Sequence, residues 1–279
     1  MVETIESPQW PIVVGGCYRS GTSMVRRLLN AHSRIHCPAE LKFFMDFHGT
    51  YAVSDRLAHL RFAATAKQFL PPEEVFDVLG GAFVELHHRA ARRAGAVRWA
   101  DKAPENVIFL DDWGRLLDEQ WHFLLVVRNP LDTVASISQS PFPLSIPAGL
   151  EGWLDTYCRF LESGLEWIER HPTRGHMVIY EELVASPHKV VSGMMEAVGE
   201  RFEDVQLQFD QCDHGSGLED RKVSSTGAIH SDSLHQWPKI LTPDSAAAVW
   251  KATQALWQRI DPALAWCVAP DRLERDFGQ

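Results

Sequence analysis

Short apolar runs alternate along the chain with longer segments in which apolar residues recur at helical spacing. The apolar runs predict buried strands, because a strand covered on both faces is apolar throughout and does not alternate. We predict strands at Pro11–Gly16, Val97–Ala100, His122–Val127 and His176–Tyr180. We predict helices from Ser20 onward and at Asp55–Leu70, Pro72–Gly95, Pro104–Leu117, Pro130–Gln139, Leu150–Arg170, Pro187–Val198 and Pro243–Ile260. This order indicates a three-layer α/β fold with a mainly parallel central sheet flanked by helices.

In such folds, ligands bind at the edge of the sheet where the parallel strands end. We therefore expect the chemistry in the residues that follow each predicted strand. Polar, aperiodic segments at Ser140–Pro147 and Gln211–Leu234 are predicted loops, and loops as long as the second are often functional. We interpret the 279 residues as one domain.

The acidic composition of the chain limits its partners. With 27 basic and 37 acidic residues, the net charge is −10, which argues against a nucleic-acid partner. No apolar run approaches the roughly 20 residues that span a bilayer, and the first residues lack the features of a signal peptide. We therefore predict a cytoplasmic location and no membrane partner. The five cysteines include no CxxC pair, which predicts free thiols and no zinc site.

The segment after the first predicted strand has the pattern of a phosphate-binding loop. Gly16–Ser23 follows GxxxxGK[ST], except that Thr22 takes the place of the lysine. The strand, the glycine turn and the helix N-terminus that bind anions are kept. The positive side chain is Arg19, inside the loop. A plain glycine turn is the alternative interpretation, but the hydroxyl groups beside Arg19 favour an anion site.

A second motif follows the strand His122–Val127. Arg128 comes directly after it, and Ser136 lies about two turns into the next helix, so both can contact a phosphate. A nucleotide hydrolase or kinase needs a carboxylate for magnesium at such a strand end. Because the residue there is Arg128, we predict that the chain binds an anionic ligand without a metal ion.

Together, the two motifs resemble those of sulfotransferases that use 3′-phosphoadenosine-5′-phosphosulfate (PAPS). Gly16–Ser23 resembles their 5′-phosphosulfate loop, and Arg128–Ser136 resembles their 3′-phosphate motif, R-[DN]-P-x-D-x-x-x-S. Gly15–Glu40 is in register with the branch that contains tyrosylprotein sulfotransferases and bacterial relatives. Weaker matches are Asp101–Pro104, Tyr180–Leu183 and Ser224–Trp237. The resemblance implies the P-loop kinase-like form of the α/β fold.

The resemblance also implies a role for each matching residue. Arg19, Ser20, Gly21, Thr22 and Ser23 would hold the 5′-phosphosulfate, Arg128 and Ser136 the 3′-phosphate, and Tyr180 and Ser225 the rest of the nucleotide. Lys102 would bridge the departing phosphate and the sulfuryl group, and Arg19 would be a further catalytic cation. Glu40 would be the general base for the acceptor, with His36 and His48 as alternative bases.

Two departures from the tyrosylprotein branch change what we expect. In those enzymes, the cysteine at the position of Cys37 forms a disulfide with a second cysteine. That second cysteine lies two residues before the position of Lys102. Ala100 stands there, so the disulfide cannot form and a secretory-pathway enzyme is not expected. Ala39 replaces the first carboxylate of their acidic pair, which weakens the inference that a protein tyrosine is the acceptor.

The resemblance predicts transfer of a sulfuryl group from PAPS to a hydroxyl or amine acceptor, by in-line displacement without metal. We expect a small-molecule acceptor, such as a sugar, a phenol or a natural product, at a site shaped by a helical insertion at 41–95 and by the loop at 140–149. The alternatives are a P-loop small-molecule kinase and a non-catalytic nucleotide-binding protein of the same fold. Magnesium dependence would favour the first, and PAPS binding without turnover the second. The sequence carries no signal for the oligomeric state.

Overall fold

A computed structural model of the chain describes residues 9–46, 65–66, 68–140, 147–215 and 228–260. The strands are β1 Ile12–Gly16, β2 Ile35–His36, β3 Arg98–Lys102, β4 His122–Val127 and β5 Gly175–Ile179. The α-helices are α1 Thr22–Asn30, α2 Phe43–Asp46, α3 Pro72–Arg93, α4 Leu110–Leu116, α5 Pro130–Ser138, α6 Leu150–Arg170, α7 Tyr180–Ala185, α8 Pro187–Ala197 and α9 Pro243–Ile260. Short 3₁₀ segments lie at Pro104–Ile108, Asp204–Gln211 and Trp237–Lys239.

The five strands form one parallel sheet in the order β2-β3-β1-β4-β5. β1 is central, and Ile12 is in register with Ala100 of β3 on one side and with His122 of β4 on the other. The chain passes from β1 to β2 and β3 on one side and then crosses to β4 on the other. The carboxyl end of β1 therefore lies at the switch point where α/β sheets bind ligands.

Helices cover both faces of the sheet. Successive residues of a strand point to opposite faces and therefore pack against different helices. Val13 packs into an apolar cluster that includes Trp113 of α4 and Trp167 of α6. Val14 packs into the opposite cluster with Leu28 of α1 and other residues of α1 and α8. The predicted three-layer α/β class is thus confirmed.

Several predicted boundaries are wrong; β3, for example, begins at Arg98 and extends to Lys102 instead of ending at Ala100. The single helix expected over Pro104–Leu117 is a 3₁₀ segment followed by α4, separated at Phe109, whose φ is −122°. Asn106 causes the tighter turn, because its side-chain amide donates to the Val14 carbonyl at 3.1 Å and to Asp101 Oδ1 at 2.8 Å. The strand expected to include Tyr180 ends one residue earlier, and Tyr180 begins α7.

Helix α3 agrees with the helix predicted at Pro72–Gly95 and forms part of the crossover from β2 to β3. It buries Phe76, Phe83 and His87, and the His87 ring stacks on Trp99 of β3 with 4.5 Å between the ring centres. Most of the helix predicted at Asp55–Leu70 and most of the loop at 140–147 lie outside the described residues. Within the described ranges, no helix combines the length and the apolar character that crossing a membrane requires.

Candidate active site

The predicted phosphate-binding loop, Gly16–Ser23, connects β1 with α1. Gly16 lies so close to β4 that a Cβ atom here would stand 2.3 Å from the Val126 carbonyl oxygen, so only glycine fits. Gly21 caps α1 with φ 99°, and Arg19 is also left-handed, with φ 66°. Such a conformation is uncommon for a residue other than glycine and often marks a functional loop. The first N–H groups of α1 have no partner within the helix and lie at the carboxyl edge of the sheet, where they can bind an anion.

The hydroxyl groups of this loop are buried. Ser20 is 1% exposed, and its Oγ has no hydrogen-bond partner within the described part of the chain. Thr22 and Ser23 are buried as well. A buried hydroxyl without a partner is costly, and such groups are usually satisfied by a ligand, an ion or water. An anion held by the loop would supply the partner that Ser20 lacks.

The two sequence motifs meet at this loop. Arg19 Nε donates to Ser136 Oγ at 3.0 Å, and Arg128 Nη1 donates to the Arg19 carbonyl at 2.9 Å. Arg128 Nη2 donates to the Ser233 carbonyl, and its guanidinium carbon lies 4.8 Å from the centre of the Tyr180 ring. The structure therefore brings together residues that are more than a hundred positions apart in sequence.

Lys102 and Glu40 form an ion pair beside the loop. Lys102 ends β3 and is 1% exposed; its Nζ donates to Ser23 Oγ at 3.1 Å and contacts Glu40 Oε1. A buried ammonium is costly unless an anion is paired with it, and Glu40 provides that anion here. The residues predicted as transfer lysine and general base are thus in direct contact.

A cavity of about 330 Å³ lies beside Arg128 and Ser136. Asp132 lines it and holds one wall, because its carboxylate accepts the backbone N–H groups of His235–Trp237 at 2.8, 2.8 and 3.1 Å. Asp132 is not among the predicted site residues. It is nevertheless the fixed aspartate of the motif R-[DN]-P-x-D-x-x-x-S, and that pattern is the signal that could have found it.

Arg128 and the residue after it are held in place by side chains from distant parts of the chain. The Tyr157 hydroxyl donates to the Arg128 carbonyl at 2.8 Å, and Trp257 Nε1 donates to the Tyr157 hydroxyl at 2.8 Å. Glu181 accepts the N–H of Asn129 at 2.9 Å, and burial raises the pKa of its carboxyl. These residues come from α6, α9 and α7, so no local sequence pattern connects them with the motif.

Three predicted site residues, Ser225, His48 and His36, are not among the contacts described above. Ser225 and His48 lie outside the described residues. His36 ends β2, and burial lowers its pKa, as do His87 and Arg26. It lines a cavity of about 560 Å³ other than the one beside Arg128, together with Pro38 and Ala39. The choice between Glu40 and a histidine as general base stays a prediction.

Comparison with known proteins agrees with this geometry. A family model described as the sulfotransferase family matches residues 11–204, and no curated protein matches the chain. The chain is similar to the sulfotransferase domain of the olefin synthase from Synechococcus PCC 7002, with a TM-score of 0.64, 20% identity, and coverage of 90% of this chain and 94% of that one. For the sulfotransferase domain from the curacin biosynthetic pathway, the TM-score is 0.60 and the identity 16%, with coverage of 90% of this chain and 98% of that one. For mouse sulfotransferase SULT7A1 in complex with PAP, the TM-score is 0.55 and the identity 14%, with coverage of 94% of this chain and 88% of that one.

The solved structures are similar in fold, as identities of 20% and below warrant. The family match extends over well more than half of the chain and includes the phosphate-binding loop, Glu40, Lys102, Arg128 and Ser136. These are the residues that the structure gathers at the switch point of the sheet. The resemblance seen in the two motifs is therefore confirmed: the chain belongs to the sulfotransferase family.

Proposed function

We propose that the chain transfers a sulfuryl group from PAPS to a hydroxyl or amine group of a small molecule, by in-line displacement without a metal ion. The contact between the two motifs carries this proposal. Arg19 joins the loop to Ser136, and Arg128 joins the second motif to the Arg19 carbonyl. A ligand that fits this site would carry one anionic group at the loop and another at Arg128 and Ser136. PAPS has two such groups, its 5′-phosphosulfate and its 3′-phosphate.

Polar atoms at both ends of this site support the fit of PAPS. Ser20 Oγ in the loop and Arg128 Nε in the second motif are buried and have no partner among the described residues. Between them lies the Tyr180 ring, so close that a Cβ atom on Gly21 would stand 2.5 Å from Tyr180 Cδ2. The mouse relative was solved with PAP, the desulfated form of PAPS. When bound, PAPS would supply the sulfuryl group.

We assign the catalytic tasks to residues that already touch one another. Arg19, Lys102 and the first N–H groups of α1 would stabilise the charge that develops on the departing phosphate. Glu40 would take the proton of the acceptor. Lys102 now contacts Glu40 Oε1, so a donor that attracts Lys102 would also free that oxygen to accept a proton.

The alternatives are less well supported. Arg128 follows β4, where a kinase would place a carboxylate for magnesium, and Thr22 takes the place of the phosphate-loop lysine. The pairing of Glu40 with Lys102 beside the loop favours a catalytic protein over one that only binds nucleotide. Two similar solved domains come from an olefin synthase and from the curacin pathway, which supports a natural product as the acceptor.

Replacing Arg128 with alanine is expected to weaken PAP binding by about 2–3 kcal/mol, because a charged hydrogen bond to the 3′-phosphate is lost. The matched ligand is adenosine 5′-phosphosulfate, which lacks the 3′-phosphate and should lose far less affinity. Isothermal titration calorimetry of both ligands with both proteins measures the difference. Equal losses would show that Arg128 only supports the fold, and the assignment of the 3′-phosphate site would then be wrong.

A further inference from the structure

Lys42, two residues after Glu40, contacts the oxygen of Glu40 that Lys102 leaves free. Its Nζ lies 3.3 Å from Glu40 Oε2, whereas Lys102 contacts Oε1. The Lys42 backbone has φ 45°, a left-handed conformation that few residues other than glycine adopt. Such a conformation persists only where surrounding contacts hold it. Each oxygen of the Glu40 carboxylate therefore has its own lysine.

Lys42 is in turn anchored by a buried pair of residues. Glu105 Oε1 accepts from Lys42 Nζ at 2.8 Å and from the Tyr18 hydroxyl at 2.6 Å. Glu105 is 2% exposed, and Tyr18 is buried within the phosphate-binding loop. Burial raises the pKa of Tyr18, as does Glu105, so the hydroxyl keeps its proton and donates it. The four side chains form a continuous path from the loop to Glu40.

The two lysines differ in what else they contact. Lys102 also donates to Ser23 of the loop, so a bound 5′-phosphosulfate would compete with Glu40 for it. Lys42 bridges two carboxylates instead. Burial lowers the pKa of Lys42, but Glu105 and Glu40 outweigh this effect and raise it, so the ammonium stays charged. If Lys102 turned to a bound donor, Lys42 would still be in place to pair with Glu40.

We propose that Lys42 is the positioning residue of the general base: fixed by Glu105 and Tyr18, it holds the Glu40 carboxylate in place once Lys102 has turned to the sulfuryl donor. This inference rests on the proposed function. A general base must stay within hydrogen-bond reach of the proton that it removes, and a displacement of about 1 Å can cost about 10²-fold in rate.

Kinetic measurement of Lys42→Met tests this role, with radiolabelled PAPS as donor and 2-phenylethanol as an alkyl alcohol acceptor. We expect kcat to fall about 30-fold while the dissociation constant of PAP is unchanged. Lys42→Arg should restore most of the rate. Lys251→Met, an exposed site on α9, is the matched control and should behave like the wild type.

The double variant with Glu40→Gln separates positioning from a general structural role. If Lys42 acts through Glu40, Lys42→Met should cause no further loss in the Glu40→Gln background. An equal loss in both backgrounds would overturn the inference. If Lys42→Met does not bind PAP, Glu105→Gln replaces it, because this change removes the charge of the anchor and keeps its shape; the same pattern is expected.

Crystal structures of the PAP complexes give a readout that needs no acceptor. In the wild type, we expect Lys102 to contact the 5′-phosphate and Glu40 to stay paired with Lys42. In Lys42→Met, we expect the Glu40 side chain to be displaced. Glu40 in the same place in both complexes would overturn the inference. If the wild type binds PAP but transfers no sulfuryl group, the proposed function fails, whereas this comparison still decides whether Lys42 holds Glu40.

Discussion

Glu40→Gln is expected to lower turnover by at least about 10²-fold, because general-base assistance is typically worth about 10²–10⁴-fold. Glutamine keeps the shape of the side chain but cannot take the proton of the acceptor. PAPS affinity should not fall, since the donor no longer competes with the Glu40 carboxylate for Lys102. The measurement is kcat with an alkyl alcohol acceptor, together with the dissociation constant of PAP.

The choice of acceptor decides whether this experiment is informative. A phenol that is already ionised needs no base and would hide the effect, so an alkyl alcohol is required. His36→Gln and His48→Gln are the controls for the alternative bases. Near-full turnover of Glu40→Gln, combined with inactive histidine variants, would show that the base is a histidine.

Lys102→Ala should lower kcat by about 10²–10³-fold, as is typical for the loss of a group that stabilises charge in the transition state. The affinity for PAPS should fall much less, because such a group acts mainly on the transition state. The fold should tolerate the change, since Glu40 keeps its contact with Lys42. Steady-state kinetics and PAP titration on the same preparation separate the two effects.

Lys251→Ala on the exposed face of α9 is the matched control for the removal of a lysine side chain, and it should leave both kinetic constants unchanged. An effect of Lys102→Ala on KM alone would assign Lys102 to ground-state binding. The assignment of Lys102 as the residue that bridges the departing phosphate and the sulfuryl group would then be wrong.

If PAPS binds as proposed, the contact between Lys102 and Glu40 would couple donor binding to the ability of Glu40 to act as general base. Lys102 is almost fully buried and needs an anionic partner. Without a ligand, that partner is Glu40; with a 5′-phosphosulfate in the loop, we expect it to be the ligand. Binding of the donor would then leave Glu40 Oε1 free to accept the proton of the acceptor.

Those parts of the fold and site that depend on local sequence could be predicted. The apolar run of β4 and the glycines of the phosphate-binding loop each determine a structure within a few residues, so the position of Arg128 at a strand end followed directly. The break at Phe109 could not be predicted, because it results from the bonds of Asn106 to β1 and β3. The sequence around Tyr180 likewise contains no local signal for the start of α7.

The supporting contacts of the site were also beyond prediction, since they join distant parts of the chain. Lys42 and Glu105 are 63 positions apart, and Tyr157 and Trp257 are 100 apart. Taken alone, Lys42 and Glu105 look like ordinary charged residues, and only the fold makes them neighbours. A family motif could indicate Asp132, but it does not show that this carboxylate holds the backbone of His235–Trp237.

A double-label transfer experiment tests whether this site transfers a sulfuryl group from PAPS without a metal ion. The protein is incubated with an extract of its source organism, in one arm with sulfur-labelled PAPS and EDTA, in the other with γ-labelled ATP and magnesium. The proposed function predicts a sulfur-labelled small molecule that forms in EDTA only when the protein is added and that is strongly reduced with Lys102→Ala, and no transfer of label from ATP beyond that of the extract alone. Magnesium-dependent transfer from ATP, with none from PAPS, would contradict it.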